Sequence, residues 1–496
     1  MAQESLPFHS DSKKAILLII IGAVLSVSGY LLASALTYRL GFPLDDAWIH
    51  QTYARNLANF GEWSFVPHQI SGGSTAPLWS VLLVPGVWLG LSPLPWAYFL
   101  GTSILALLAI FTEFLVRHIS PDYRTQIPWV GIFIVLEWHL VWAAVSGMET
   151  LLSGLLITFV LGLLVFGSRN YLAIGLLIGI GVWVRPDTVT LLGPAILVIL
   201  MTRSILSEKL FSFSKLIIGF GVILTFYFLF NLIIAGTPFP NTYYAKQAEY
   251  AILQNLPFYS RFLSIFLLPI TGVGFFLVPG VVLLLIRSIK IREWGILAGM
   301  IWFTGYIVIY AWRLPVTYQH GRYIIPAMPI YFIFGLAGML NFICSQSLNR
   351  WKWIVSKVWQ ISTGLVIISF WVLGARAYAT DVAVIETEMV ATAKWVAANV
   401  PSDSLIAAHD IGALGYFAPR NIVDLAGLVS PEIIPIIRDE KQLAQYLNNR
   451  NVKFLMTFPD WYPILANNLP VAFSSSGLFA PSMGQENMAV FNWMAP

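Results

Sequence analysis

Charge is what this chain has least of. Only 10% of its 496 residues are Asp, Glu, Lys or Arg, whereas 58% are Ala, Val, Ile, Leu, Met, Phe, Trp, Tyr or Cys. A soluble globular protein is about one-quarter charged. The 28 Lys+Arg and 24 Asp+Glu present cannot cover the surface of a soluble protein of this length. A wholly soluble, disordered or nucleic-acid-binding protein is excluded, and a formal net charge of +4 offers a polyanion little. Cysteine is almost absent: Cys344 alone rules out a disulfide within the chain and a cysteine metal cage. Nucleotide-binding signatures are missing as well. There is no GxxxxGK[ST] loop, and Gly412 and Gly415 lack the GxGxxG pattern and its βαβ context. No internal repeat of roughly 20–50 residues is visible.

What the chain has is long apolar runs. A spanning helix needs about 20 mostly apolar residues, and the candidates are 15–36, 96–116, 127–145, 149–166, 171–184, 188–202, 215–235, 260–287, 294–312, 324–344 and 354–374. The first is too long for a cleaved signal peptide and lacks a small-x-small site after it. Segment 76–91 is apolar but broken by Pro77 and Pro85. Loop cations mark the cytoplasmic side. Fourteen fall on one side, beginning with Lys13 and Lys14. Seven fall on the other: Arg39, Arg55, Arg185, Lys246, Arg261, Arg313 and Arg322. This puts the N-terminus in the cytoplasm and the C-terminal part outside the cytoplasmic membrane. The crossing number must then be odd, so the expectation is eleven spans with 76–91 as a juxtamembrane or re-entrant helix.

Charge also divides the chain along its length. Residues 1–374 carry 21 Lys+Arg and 13 Asp+Glu, and residues 375–496 carry 7 and 11. The first stretch reads as a membrane domain, with its first outer loop at 37–75, and the second as a soluble extracytoplasmic domain. There, helical patterns at 384–399 and 439–449 alternate with extended ones at 405–408, 421–425, 452–458 and 488–491, which predicts an α/β domain. His409–Asp410 lacks the further His and Asp ligands of a metal-dependent phosphohydrolase. The expectation is that this domain packs over the outer loops.

In this orientation the unusual polar residues gather on the outer side. The first loop holds Asp45 and Asp46 ahead of a helix-like run at 47–60. Either acid could cap that helix, and Asp46 and His50 would share a face. Glu149 heads a span in SGMETLL, and Arg185 and Asp187 lie in WVRPDT. Lys246 follows Asn241, Tyr243 and Tyr244 in GTPFPNTYYAKQ, and Arg313, Tyr318, His320, Arg322 and Tyr323 lie in RLPVTYQHGRYIIP. Each motif alone has a plain structural explanation: a first-turn acid, an interfacial ion pair, aromatic anchoring or a snorkelling cation. Together they supply acids and cations on one membrane face, as holding a phosphate and activating a hydroxyl beside a bilayer require. Glu137 and His139 sit inside a span and are left outside this set.

The run LDDAWIHQTYARNLANFGEWSF followed by GGSTAPLW resembles the first loop of GT-C glycosyltransferases, polytopic enzymes that use polyprenyl-phosphate sugars. SGMET, RPD, GTPFPNTYYAK, HGRYIIP and DIGALGY…IVDLAGL follow in the order of the arabinofuranosyltransferase-like branch. The resemblance covers about residues 15–430. It implies a polytopic α-helical GT-C fold with a C-terminal extracytoplasmic α/β domain. It also implies transfer of a hexosyl or pentosyl group, with inversion, from a polyprenyl-phosphate donor to a glycan, lipid or protein hydroxyl. The family's first-loop acid falls on Asp45 or Asp46 as catalytic base, and its second-loop acid on Glu149. Arg185, Lys246, His320, Arg322 and Tyr323 join Glu149 as donor- and phosphate-binding candidates. A divalent metal (Mg, Mn or Ca) would find hard ligands in Asp45, Asp46, His50 and Glu149. RPD at 185–187 departs from the RPE of near relatives: the charge is kept, with a shorter reach. The rival readings are a lipid-linked-sugar flippase, which repeats and midplane charges would favour, and a non-catalytic binding protein of the same fold.

Overall fold

A computed structural model describes residues 10–344 and 350–493. The extreme N-terminus, expected in the cytoplasm from loop charge, lies outside the described residues. Among the described residues, seven helices are long and apolar enough to cross a membrane: Lys13–Thr37, Pro93–Ile119, Leu206–Ala235, Gly272–Ile291, Trp294–Arg313, Tyr318–Ile343 and Arg350–Asn399. Shorter apolar helices supplement them, and the protein is a multi-pass, mostly helical membrane protein.

Several expected spans are shorter or broken, for local reasons. The run 127–145 divides into Trp129–Leu136 and Trp138–Val145. At the break, Glu137 accepts a hydrogen bond from the Leu140 N–H at 3.1 Å and pairs with His139 at 2.8 Å. An acid expected inside a span therefore caps a helix. Span 149–166 is the helix Thr150–Val165, and 188–202 begins as a 3-10 turn, Pro186–Leu191, before Leu192–Met201. The run 260–287 is interrupted by 3-10 turns between Phe258–Leu267 and Val278–Ile291. Segment 76–91 becomes the helix Pro77–Trp88. Its 12 residues extend about 18 Å, short of the ~30 Å hydrocarbon core.

Helices approach closely where glycine permits. A Cβ on Gly175 would lie 2.2 Å from the Leu216 carbonyl oxygen, and one on Gly219 would lie 2.4 Å from that of Leu172. Tyr171–Val184 and Leu206–Ala235 thus pack backbone to backbone, a common mode between membrane helices.

The segment 37–75, expected as the first outer loop, forms the helix Asp46–Phe60 and a small ribbon of β1 (Ser64–Val66) and β2 (Gln69–Ile70), and the helix Pro77–Trp88 follows it. In the C-terminal part, five strands build one mixed sheet. These are β3 (Ile406–Ala408), β4 (Ile422–Asp424), β5 (Phe454–Thr457), β6 (Val471–Ser474) and β7 (Ala489–Asn492), in the order β4-β3-β5-β7-β6. The first three pair in parallel, and β7 runs antiparallel to β5 and β6. Strand β6 was not anticipated; it is a partly exposed edge strand.

Position 374/375 lies within one continuous helix, Arg350–Asn399, which widens to a π turn at Glu386–Val390. Within that turn the fully buried Glu388 accepts from the Met488 N–H at 2.9 Å, from Asn487 at 3.2 Å and from the Ser475 hydroxyl. One membrane helix is thereby bonded directly to the sheet-bearing part.

Candidate active site

Asp45 and Asp46 are adjacent but have separate tasks. Asp45 occupies the N-cap position of Asp46–Phe60 without making a side-chain cap bond. Its carboxylate instead accepts from the N–H groups of Gly412 and Ala413, at 2.6 and 2.8 Å, at the start of the helix Gly412–Phe417. On the same first-loop helix, Arg55 donates to the carbonyls of Tyr416 and Gly415 at 2.7 and 3.2 Å. The first loop and the C-terminal part are thus clasped together. Burial and the charges of Asp410 and Asp46 push the Asp45 carboxyl well above its ordinary range, against the pull of its two backbone bonds.

Asp46 turns the other way, to a 2.6 Å ion pair with Arg322. Burial favours its neutral form, but Arg322, Lys246 and His50 outweigh that and hold the carboxyl well below its ordinary range. Asp46 keeps 30% of its side chain exposed, whereas Arg322 keeps 7%.

Both acids line a cavity of 1030 Å³ that lies between the first loop, the loops near Lys246 and Arg322, and the C-terminal part. Of the nine sequence candidates, Asp45, Asp46, Lys246, His320 and Arg322 line it, whereas His50, Glu149, Arg185 and Tyr323 do not. Those four form a buried layer behind. His50 is 2.9 Å from the Ser80 hydroxyl and 3.5 Å from Glu149. Arg185 pairs with Asp187 at 2.9 Å and Glu149 at 3.5 Å, and donates to Tyr310 at 2.9 Å. Asp187 also accepts from Tyr306 at 2.8 Å and from Tyr310; its shorter side chain, compared with Glu, is fully engaged. Tyr323 is the junction of the two layers. Arg322, Lys246 and Arg185 lie 5.0, 5.4 and 5.7 Å from its ring, within cation–π range.

His320 lines the cavity in a left-handed backbone conformation, φ 57°, but its Nε2 is committed to Asp381 at 2.7 Å. It lies edge-on to Trp138 and Trp142. The metal expectation does not fit this arrangement of donors. Asp45 is held by backbone N–H groups and Asp46 by Arg322. His50 and Glu149 face each other behind the cavity wall. Among the described residues, no group of three or more His, Cys, Asp or Glu is disposed to hold an ion.

The cavity also collects groups that sequence reasoning left aside. His409 pairs with Glu249 at 3.3 Å and with the Tyr462 hydroxyl at 2.7 Å, and all three line the cavity with Asp410. The Asp410 Oδ2 is buried without a hydrogen-bond partner. Burial pushes that carboxyl up to about 6; Asp46, Glu249 and Asp424 add to the rise and His409 opposes it. The pair His409–Asp410 is the one signal of this group in the sequence, and without further His and Asp ligands beside it in the chain it points to no metal site.

A family model described as a domain of unknown function, DUF8728, matches residues 376–491. No curated protein matches the chain by sequence. Solved structures match over almost the whole chain. ArnT from Cupriavidus metallidurans bound to undecaprenyl phosphate aligns with a TM-score of 0.54 at 13% identity, covering 96% of this chain and 98% of ArnT. The Archaeoglobus fulgidus oligosaccharyltransferase tethered with an acceptor peptide gives 0.55 at 13% identity, over 90% and 69%. The arabinofuranosyltransferase AftD from Mycobacteria gives 0.51 at 14% identity, over 96% of this chain but 41% of AftD. The chain has the GT-C fold, as the order of its motifs implied.

Proposed function

We propose that the protein is a membrane glycosyltransferase that moves a sugar from a polyprenyl-phosphate donor to a hydroxyl on the outer side of the cytoplasmic membrane. One observation carries this reading: Asp46 and the cations Arg322 and Lys246 meet at the wall of a single large cavity. The fold supports it, because ArnT, which shares that fold, is bound to undecaprenyl phosphate.

Asp46 takes the proton from the acceptor hydroxyl. The freed oxygen forms the new bond to the anomeric carbon while the bond from that carbon to the phosphate oxygen breaks. The electron pair leaves on the phosphate, where Arg322 and Lys246 neutralise it. A direct in-line displacement inverts the anomeric centre. Without donor, Arg322 quenches Asp46. A phosphate competing for Arg322 and Lys246 would loosen that hold and raise the basicity of Asp46, so donor binding would prepare the base. Asp45 holds the C-terminal part against the first loop, Tyr323 backs Arg322 and Lys246, and His50, Glu149 and Arg185 form the buried network behind the wall. The acceptor class at this level is a glycan, lipid or protein, and the setting is cell-envelope glycan assembly.

A positioned base contributes about 10²–10⁴-fold. Asp46→Asn should lower turnover in that range, measured with a radiolabelled polyprenyl-phosphate sugar in reconstituted membranes, with insertion unchanged. Near wild-type transfer by Asp46→Asn, Asp45→Asn and the double variant would overturn the reading and favour a non-catalytic role.

A further inference from the structure

The cavity lining carries two kinds of chemistry. Arg322 and Lys246 act on Asp46. A second end, built by the C-terminal part and the helix end at Glu249, sets Asp410, Asp460 and Glu249 beside Trp461, Tyr462 and Phe458, with His409 and Arg438 among them.

Trp461 closes the 3-10 turn Pro459–Trp461. It packs edge-on against His409 at 5.1 Å and against Phe458 at 5.0 Å, yet 39% of it stays exposed. Two neighbours hold the indole in place, and the rest is left uncovered in the cavity. Beside it, Asp410 Oδ2 is buried and unpartnered. A buried acceptor without a donor is costly unless a ligand supplies one. Glu249 is fixed by His409, which is fixed in turn by Tyr462, so its remaining lone pairs keep a set direction.

We propose that this end is a carbohydrate subsite, and hence that the acceptor hydroxyl belongs to a glycan; the inference rests on the transferase reading for the word acceptor. Ionised carboxylates only accept hydrogen bonds, so they need a ligand rich in donors, as a sugar is in hydroxyls. A sugar ring also has a face of C–H groups that can lie on an indole. A lipid chain would cover Trp461 but leave Asp410 and Glu249 desolvated and unpaired. A phosphate finds its counter-charges at Arg322 and Lys246, whereas Arg438, the arginine among these carboxylates, is engaged by the Glu249 carbonyl at 2.8 Å. The volume of 1030 Å³ stands at the top of the range for drug-sized ligands, roughly 300–1,000 Å³, which leaves room for a donor sugar and an acceptor sugar together.

The test uses the full chain in nanodiscs on an array of immobilised cell-envelope oligosaccharides, with radiolabelled decaprenyl phosphate binding measured in parallel. The wild-type chain should be retained by a subset of the glycans. Trp461→Ala and Asp410→Asn should each weaken that retention by about tenfold or more while binding decaprenyl phosphate normally, which shows that they are folded. Arg322→Ala should do the reverse. No retention of the wild-type chain on any glycan, or unchanged retention of both Trp461→Ala and Asp410→Asn, would overturn the subsite. Glycan retention by a wild-type chain that binds no decaprenyl phosphate would support the subsite and overturn the transferase reading instead.

Discussion

Asp410 shows how much one residue's chemistry depends on its surroundings. Its sequence neighbours suggested a metal motif without enough ligands. In the structure its carboxyl lies among Asp46, Glu249, Asp424 and His409 and titrates at about 6 instead of 3.8. Between those values the folded chain holds a proton that the unfolded chain has lost. Stability from this group is therefore present at low pH and is lost as pH rises through 6. Asp410→Asn removes a buried charge at pH 7.5 but almost nothing at pH 4.5. It should raise the thermal unfolding midpoint at pH 7.5, in line with about 3 kcal/mol for a shift of this size, and raise it by roughly a third as much at pH 4.5, where the unfolded carboxyl is already largely ionised. An equal effect at both values would contradict the assignment. Asp46 could be picked out from the sequence as an unusual acid, because adjacent carboxylates in an apolar chain need partners. Arg322 was a candidate too, but that it is the partner of Asp46 was not legible, since the two are far apart in the chain.

Among the elements, the short helix Gly412–Phe417 decides how the two parts meet. Its first residue has no side chain for a physical reason: a Cβ there would lie 2.0 Å from the Asp45 carbonyl oxygen and 2.7 Å from its Oδ2. Gly412→Ala must displace backbone, since the nearer atom is a carbonyl. We expect a loss of about 1–3 kcal/mol, typical of overpacking, with faster proteolysis of the C-terminal part and lower transfer. Wild-type protease resistance would show that the clasp is not needed. The run DIGALGY was recognisable as a motif, but the sequence gives no sign that its glycine serves Asp45. The reach of the spanning helices was misjudged for a similar reason. Apolar content was visible in 127–145, whereas the break at Glu137 depends on a cap that forms only once the chain turns there.

At the scale of the whole molecule, the contacts Asp45–Gly412 and Arg55–Tyr416 put the first loop and the C-terminal part on the same side. Loop charge predicts that this side lies outside the cytoplasm. Cys344 is the only cysteine, so a Cys344→Ser background permits a clean test at two exposed positions. Asp403→Cys should react with a membrane-impermeant maleimide in intact cells, and Ser207→Cys only after permeabilisation. The reversed pattern would invert the orientation and place the cavity in the cytoplasm.

Composition and order alone determined that the chain is a polytopic membrane protein, that its polar residues are scarce, and that they follow the order of the GT-C fold. These properties are additive along the chain: hydropathy sums over a window, and a motif keeps its spacing wherever it lies. Tertiary structure alone decided which acid faces a cation and which clasps a helix, which candidates line the cavity and which support it from behind, and that His409, Glu249, Asp410 and Trp461 share one wall. Those outcomes depend on distances between residues far apart in sequence, and electrostatic and hydrogen-bond energies act through those distances.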